Sequence, residues 1–243
     1  MEAILLHNLE TILNRITKAA IKCNRNPDEI RLLLATKTVP ADRIRMALKA
    51  GQTLIGENKV QEIKDKYAGL KDIPHENHFI GHLQTNKIKD ILKYSISCIQ
   101  SLDRLDLALK LNERLLRENK TMEVLIQVNT SGEASKFGIA PDDAIPFIKE
   151  VAQLSALRIK GLMTIGLFSA ETEKVCPCFR LLKQIQEEAR ALELPGVEMN
   201  ELSMGMSGDL ETAIEEGATI VRVGTAIFGQ RIYPDSYYWN ERS

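Results

Sequence analysis

No apolar run in the 243 residues reaches the length of a membrane span, which excludes a helical membrane protein. The N-terminus breaks its apolar residues with Glu2, His7, Glu10, Arg15 and Lys18, so it lacks the unbroken core of a signal peptide. Cysteine is scarce: Cys23, Cys98, Cys176 and Cys178 are too few and too scattered for a disulfide framework, and the expected compartment is reducing and cytoplasmic. The 4 histidines have no spacing that brings two onto one face, and Cys176-Pro177-Cys178 has no second pair, so no metal site is expected. Aromatics make up only 5% of the chain, which leaves Leu, Ile, Val and Ala to build the core. Excess charge is absent too. With 32 basic and 33 acidic residues the net charge is −1, and no global field exists to hold nucleic acid or an anionic membrane. Low-complexity stretches and Gly-, Pro- or Ser-rich linkers are missing, so residues 1–243 read as a single domain with no surface that demands a partner, hence a monomer.

What is present is a regular alternation. Apolar residues at spacings of three and four mark an amphipathic helix over 3–22, which Asn26-Pro27 breaks. The stretch 30–40, IRLLLATKTVP, then reads as a buried strand ending at Lys37. Helix 41–50 stops at Gly51, and strand 53–55 runs into Gly56-Glu57-Asn58. Helix 59–70, strand 78–80, helix 84–94 and strand 97–99 follow. Asp103 is the expected N-cap of a helix reaching Asn119. Strand 123–128, the loop 131–140, a helix from Pro141, strand 158–164, helix 170–192, strand 198–202, helix 209–216 and strand 219–223 complete the pattern. Eight strand–helix units predict parallel βα pairing closed into a (β/α)8 barrel over 30–231, with the first helix outside the repeat. The alternative is an open doubly wound sheet. The aromatic tail 232–243 is too short for another domain.

Barrel chemistry lies at the C-terminal strand ends. Those ends collect Lys37, Asn58, His82, Asp103, Asn129, Thr164, Ser203, Ser207, Gly224 and Thr225, a set suited to a polar small molecule. Lys37 has two readings, a solvated strand end or an amine held over a pocket. Parity puts Leu33, Ala35 and Lys37 on one face, and partial burial favours the neutral amine that attacks a carbonyl. Arg222 interrupts the apolar strand 219–223. It is either one half of a structural ion pair with Glu57 or Glu201, or a donor aimed at a ligand. The glycine-containing turns 203–208 and 224–229 follow strands seven and eight, where barrels often bind phosphate. A strand-end lysine, a strand arginine and a phosphate-type loop pair together suit pyridoxal phosphate: aldehyde to lysine, ring nitrogen to arginine, phosphate to the loops.

The chain also resembles the pyridoxal-phosphate homeostasis proteins. The matching stretches, in order, are Leu34-Ala35-Thr36-Lys37-Thr38, Ile55-Gly56-Glu57-Asn58, His78-Phe79-Ile80-Gly81-His82-Leu83-Gln84, Ser135-Lys136-Phe137-Gly138, Gly161-Leu162-Met163, Leu202 through Ser207, and Val221 through Gly229. The resemblance implies a barrel similar to the N-terminal domain of alanine racemase. It implies Lys37 as the residue forming the internal aldimine, and Arg222 near the pyridine nitrogen. Ser203, Gly224 and Thr225 are then expected around the phosphate, Asn58 and Met204 against the ring, and Lys136 as a second lysine handling the cofactor in transit; Ser207, a neutral donor in the turn 203–208, joins the expected cofactor set on its own chemistry. Expected partners are pyridoxal phosphate itself and the apoenzymes that depend on it.

Two functions follow from the same lysine. One is a protein that holds and buffers the cofactor. The other is a racemase- or decarboxylase-type enzyme. Racemisation needs a second acid/base on the opposite face of the substrate, and the barrel leaves no further domain to supply it. An arginine beside the ring nitrogen makes the ring a weaker electron sink than an aspartate would. The expectation is therefore a binder without turnover. A barrel aldolase using Lys37 would leave Arg222 unexplained.

Overall fold

Asn26 caps a single 3-10 turn, Pro27–Glu29, by accepting the Asp28 N–H at 3.1 Å. That turn follows helix α1 (Glu2–Lys22), which ends where Asn24 takes φ +56, and directs the chain into strand β1 (Arg31–Ala35). The computed structural model describes residues 2–167 and 171–229. Seven more strands follow: β2 (Leu54–Glu57), β3 (Glu76–Phe79), β4 (Cys98–Leu102), β5 (Met122–Gln127), β6 (Leu157–Met163), β7 (Val197–Ser203) and β8 (Ile220–Val223). Each pairs in parallel with the next, and β8 pairs with β1, closing the barrel. The helices between them are α2 (Ala41–Lys49), α3 (Val60–Leu70), α4 (Ile88–Ile91), α5 (Leu105–Arg117), α6 (Ala144–Val151), α7 (Thr172–Ala191) and α8 (Leu210–Glu215). A short α9 (Thr225–Phe228) follows β8. The closed (β/α)8 barrel and the extra N-terminal helix are those the alternation predicts. The tail 232–243 and the start of the helix expected from Ala170 lie outside the described residues.

Strand parity sorts the side chains into two cores. Leu32 and Leu34 join the large core between barrel and helices, whereas Leu33 packs inside with Leu54, Ile220 and Ile80. A second small interior cluster holds Cys98, Leu125 and Met163 with Ile165. At the N-terminal mouth the interior is ionic. Arg31 pairs with Glu76 at 2.7 Å and lies 3.6 Å from Glu201, and Lys160 pairs with Glu198 at 2.5 Å. Those pairs belong to stability, since barrel sites open at the other end.

Helix α1 covers the closing seam. It buries Leu5, Leu9, Ile12 and Ile16, each large side chain contributing roughly 2 kcal/mol. It packs on α2, α8 and α9. Arg15 clamps Glu211 at 2.6 and 2.8 Å and donates to the Ser207 carbonyl at 3.0 Å, and Asn8 Nδ2 donates to the Ile227 carbonyl at 3.2 Å. The helix outside the repeat thus secures both glycine-containing turns.

Three local expectations change. Asp103 does not cap α5: Arg104 occupies that position, and Asp103 pairs with the Arg104 guanidinium at 2.8 Å instead. The helix expected over 84–94 is a 3-10 turn, Thr85–Lys87, followed by the one-turn α4, Ile88–Ile91, whose buried residues are Ile88 and Ile91. The turn 224–229 contains α9, too short to show apolar periodicity.

Candidate functional site

Lys37 stands two residues past β1, partly exposed, between the buried Thr36 and the half-buried Thr38. Beside it the end of β8 comes very close. A Cβ on Gly224 would lie 2.8 Å from the Ala35 carbonyl oxygen, so only glycine seats β8 against the strand bearing the lysine. Lys37, Ala35, Gly224 and Thr225 line one cavity of about 160 Å³ with Arg43 and Phe228. Arg43 lies over the Phe228 ring at 5.9 Å from its centroid. Sequence reading passed over Arg43, which looks like an ordinary helix-surface charge in the first turn of α2.

Arg222 is buried at 6% exposure. Barrel stagger sets its N–H against the Gly205 carbonyl at 3.0 Å, level with the C-terminal end of β7. Its Nη1 donates to Ser203 Oγ at 2.9 Å and its Nη2 to the Thr164 carbonyl at 2.8 Å. Ser203 Oγ in turn donates to Gln100 Oε1 at 2.6 Å, and Gln100 Nε2 lies 2.7 Å from His78 Nδ1. This polar chain crosses the barrel beneath the mouth. Neither Glu57 nor Glu201 pairs with Arg222: Glu57 is engaged by Lys66 and Glu201 lies near Arg31. Burial pulls the guanidinium down to about 10, against the pull of Asp209 in the other direction, so it stays cationic at neutral pH. The two acceptors leave part of the guanidinium fork over for a ligand atom.

The remaining site residues fall in distinct places. Asn58 is 8% exposed and its Oδ1 has no hydrogen-bond partner among the described residues. It lines a separate cavity of about 270 Å³ with His82, Lys59 and Lys64. Ser207 lies in the turn held by Arg15. Met204 packs in the core between barrel and helices, with its N–H on the Ile220 carbonyl at 3.1 Å. Lys136 donates to the Gly166 carbonyl at 2.7 Å and pairs with Glu133, tying the loop after β5 to the one after β6. In that loop Phe137 stacks on His82 at 4.0 Å between centroids.

Asn58 fixes one further position. A Cβ on Gly81 would fall 1.9 Å from the Asn58 carbonyl oxygen. Gly81→Ala is expected to cost on the order of 3 kcal/mol, read as a fall in thermal midpoint of roughly 6–12 °C. Gly208→Ala faces open space outside the left-handed region and should stay within about 0.5 kcal/mol. Equal melting of the two variants would refute the close approach.

The set of groups suits a phosphorylated aldehyde: an amine at a cavity edge, a buried arginine with donors to spare, an orphaned buried amide oxygen able to accept, and hydroxyls on the turns after β7 and β8. The model of the family described as alanine racemase, N-terminal domain, matches residues 6–232. A pyridoxal phosphate homeostasis protein of Aquifex aeolicus is 43% identical over 225 residues, 93% of this chain and 97% of that protein. A solved structure of an unknown protein from Bifidobacterium adolescentis superposes with a TM-score of 0.88 at 37% identity, covering 93% of this chain and 95% of that one. PipY of Synechococcus elongatus, solved with PLP bound, superposes with a TM-score of 0.77 at 31% identity, covering 90% and 100%. The chain belongs to the pyridoxal phosphate homeostasis protein family.

Proposed function

We propose that this chain binds pyridoxal 5'-phosphate covalently on Lys37 and takes part in its homeostasis. The observation that carries the reading is the single cavity in which Lys37 meets Gly224 and Thr225. When bound, the cofactor supplies an aldehyde that condenses with the Lys37 amine, giving a Schiff base and releasing water. Thr225 and Ser207 offer hydroxyls to the phosphate, and Arg43 stands near enough to that cavity to add charge. Arg222 offers its remaining donors to the ring nitrogen. Ser203 serves this site through Arg222, since its hydroxyl is already committed to Gln100. Asn58 has an unpaired oxygen to offer the ring, and Met204 acts from behind the strands through packing.

In this reading the chain is one barrel domain and a cytoplasmic monomer. It holds the cofactor for delivery to dependent apoenzymes and does not spend it on turnover. Supporting this are the relatives' names and, with Arg222 assigned to the ring nitrogen, a guanidinium there in place of a carboxylate. No helix among the described residues is long and apolar enough to cross a membrane. The test is direct. Purified protein is expected to be yellow, and borohydride is expected to fix one cofactor on the peptide containing Lys37. A label found only on other peptides sinks the assignment. Addition of amino acids should leave the band in place without product; steady racemisation or decarboxylation would convert the reading to an enzyme.

A further inference from the structure

Lys37 lies between two threonines that the fold grips from the outer side of the barrel. Thr36 is fully buried; its N–H donates to the Gly56 carbonyl at 3.0 Å and its Oγ1 lies 2.6 Å from Glu57 Oε1. Its carbonyl accepts from Lys66 Nζ at 2.8 Å. Thr38 has φ +66, in the left-handed region that a β-branched residue leaves unless it is held. Its N–H donates to Glu62 Oε2 at 2.9 Å. One ammonium joins both grips: Lys66 Nζ lies 2.7 Å from Glu57 Oε1 and 3.0 Å from Glu62 Oε2. Glu62 and Lys66 are spaced i,i+4 on α3, so a single helix face reaches both sides of Lys37. None of the three lines the Lys37 cavity.

We propose that Glu57, Lys66 and Glu62 are positioning residues for Lys37, bracing the peptides on either side of it so that its amine faces the cofactor. This rests on the assignment of the cofactor to Lys37. The brace is also sensitive to protons. Burial pushes the Glu57 carboxyl up to about 8; the Lys66 ammonium opposes this and Glu62 adds to it. Burial alone would raise Glu62 as well, but its bonds with Glu57, Lys66 and the Thr38 N–H hold it below the usual carboxylate range. The other titratable groups on this side, Tyr67, Lys71 and Asp72 from α3 and its end, His75 before β3 and Tyr94 after α4, line the adjoining cavity with Glu57 and Lys66. With Glu57 protonated, one carboxylate faces one ammonium. Once Glu57 ionises, two carboxylates share that ammonium out of water. Because the folded value lies above the ordinary 4.5, the contribution of Glu57 to stability is complete below that pH and is lost as pH rises through about 8. The brace therefore relaxes on the alkaline side and Thr38 is released.

Amide exchange of Thr38 in the cofactor-free protein, corrected for intrinsic base catalysis, tests this without relying on the cofactor. Protection is expected to fall about tenfold or more between pH 6.5 and 9.5, the loss of one charge-assisted hydrogen bond. Glu57→Gln keeps an acceptor for Thr36 and Lys66 but cannot ionise, and its protection should stay flat over that range. Glu62→Ala should lose at least as much protection at both pH values. The rate of borohydride-trapped labelling of Lys37 by pyridoxal phosphate should follow the exchange in each variant. Unchanged Thr38 exchange in Glu62→Ala, an alkaline loss in Glu57→Gln equal to the parent's, or labelling rates indifferent to exchange would each overturn the proposal. Should Glu62→Ala fail to fold, the Glu57→Gln profile decides alone. A parent label found only on other lysines would refute the Lys37 assignment, while Thr38 exchange would still judge the brace.

Discussion

Lys37→Ala is expected to lower the affinity for pyridoxal phosphate about 100-fold, roughly 2.7 kcal/mol, and to remove the label from the peptide spanning 31–45. The fold should persist, with the thermal midpoint shifted by no more than about 3 °C. The side chain is partly exposed above the packed interior layers, and the nearest of these, around Leu33, Leu54 and Ile220, do not include it. Its loss opens no cavity in either core. Spectral titration, peptide mapping after borohydride and a melting curve check the three parts separately. Other lysines are available elsewhere, Lys59 and Lys64 on the separate cavity lined by Asn58 and Lys136 on the loop after β5. Slow labelling of one of these at high cofactor concentration is compatible with the assignment. Undiminished affinity is not, and neither is gross unfolding, which would make Lys37 a structural residue.

Arg222→Ala acts on both stability and binding. It strips the donor from Ser203 Oγ and the Thr164 carbonyl and removes the cation near the partly buried Asp209 carboxyl. Leaving buried acceptors unmet costs about 1–3 kcal/mol each, so a fall of roughly 6–12 °C in thermal midpoint is expected. Cofactor affinity should drop at least tenfold, about 1.4 kcal/mol. Arg222→Lys separates the two contributions: it keeps charge but not the fork that meets two acceptors and a ligand together. It should recover part of the stability and little of the affinity. Cys176→Ser supplies the comparison, because a serine hydroxyl can still reach Glu216, which the thiol meets at 2.8 Å on the surface. If the cysteine variant loses as much affinity as Arg222→Ala, the ligand role of the arginine fails.

What could be read from the chain and what could not divide along one physical line. Short apolar runs such as Leu32–Ala35 and the helix between each pair reveal the barrel, because local burial alone generates those patterns. Lys37 and Arg222 stood out for the same reason, as charges where an apolar run should continue. Partners set by closure were hidden. Ser203 meets Gln100 across 103 positions of sequence, and nothing near either residue announces it. Arg222 was given a choice between an ion pair and a ligand, yet a serine hydroxyl and a carbonyl hold it, an arrangement only the barrel's stagger creates. Glu57, Glu62 and Lys66 read as commonplace helix and strand-end charges. Their meaning comes from the 1% exposure of Glu57 beneath α3, a depth that hydrophobic periodicity does not report. Asp103 failed as a cap because the arginine beside it competed for the carboxylate.

The seam helix has a consequence for how the protein is made. Arg15 and Glu211 are 196 positions apart, so at ordinary synthesis rates α1 waits roughly 10–40 s for the turn it secures. During that time Leu5, Leu9, Ile12 and Ile16 lack the cover of α8 and α9, with only α2 made early, so apolar surface stays open to a chaperone. Strand β1 likewise waits for β8, its partner across the closing seam. Lys37 is synthesised early, but the cavity it serves exists only once Gly224 and Thr225 have arrived. Cofactor capture is therefore a property of the finished chain, and the nascent one cannot draw on the pool it will later help to keep.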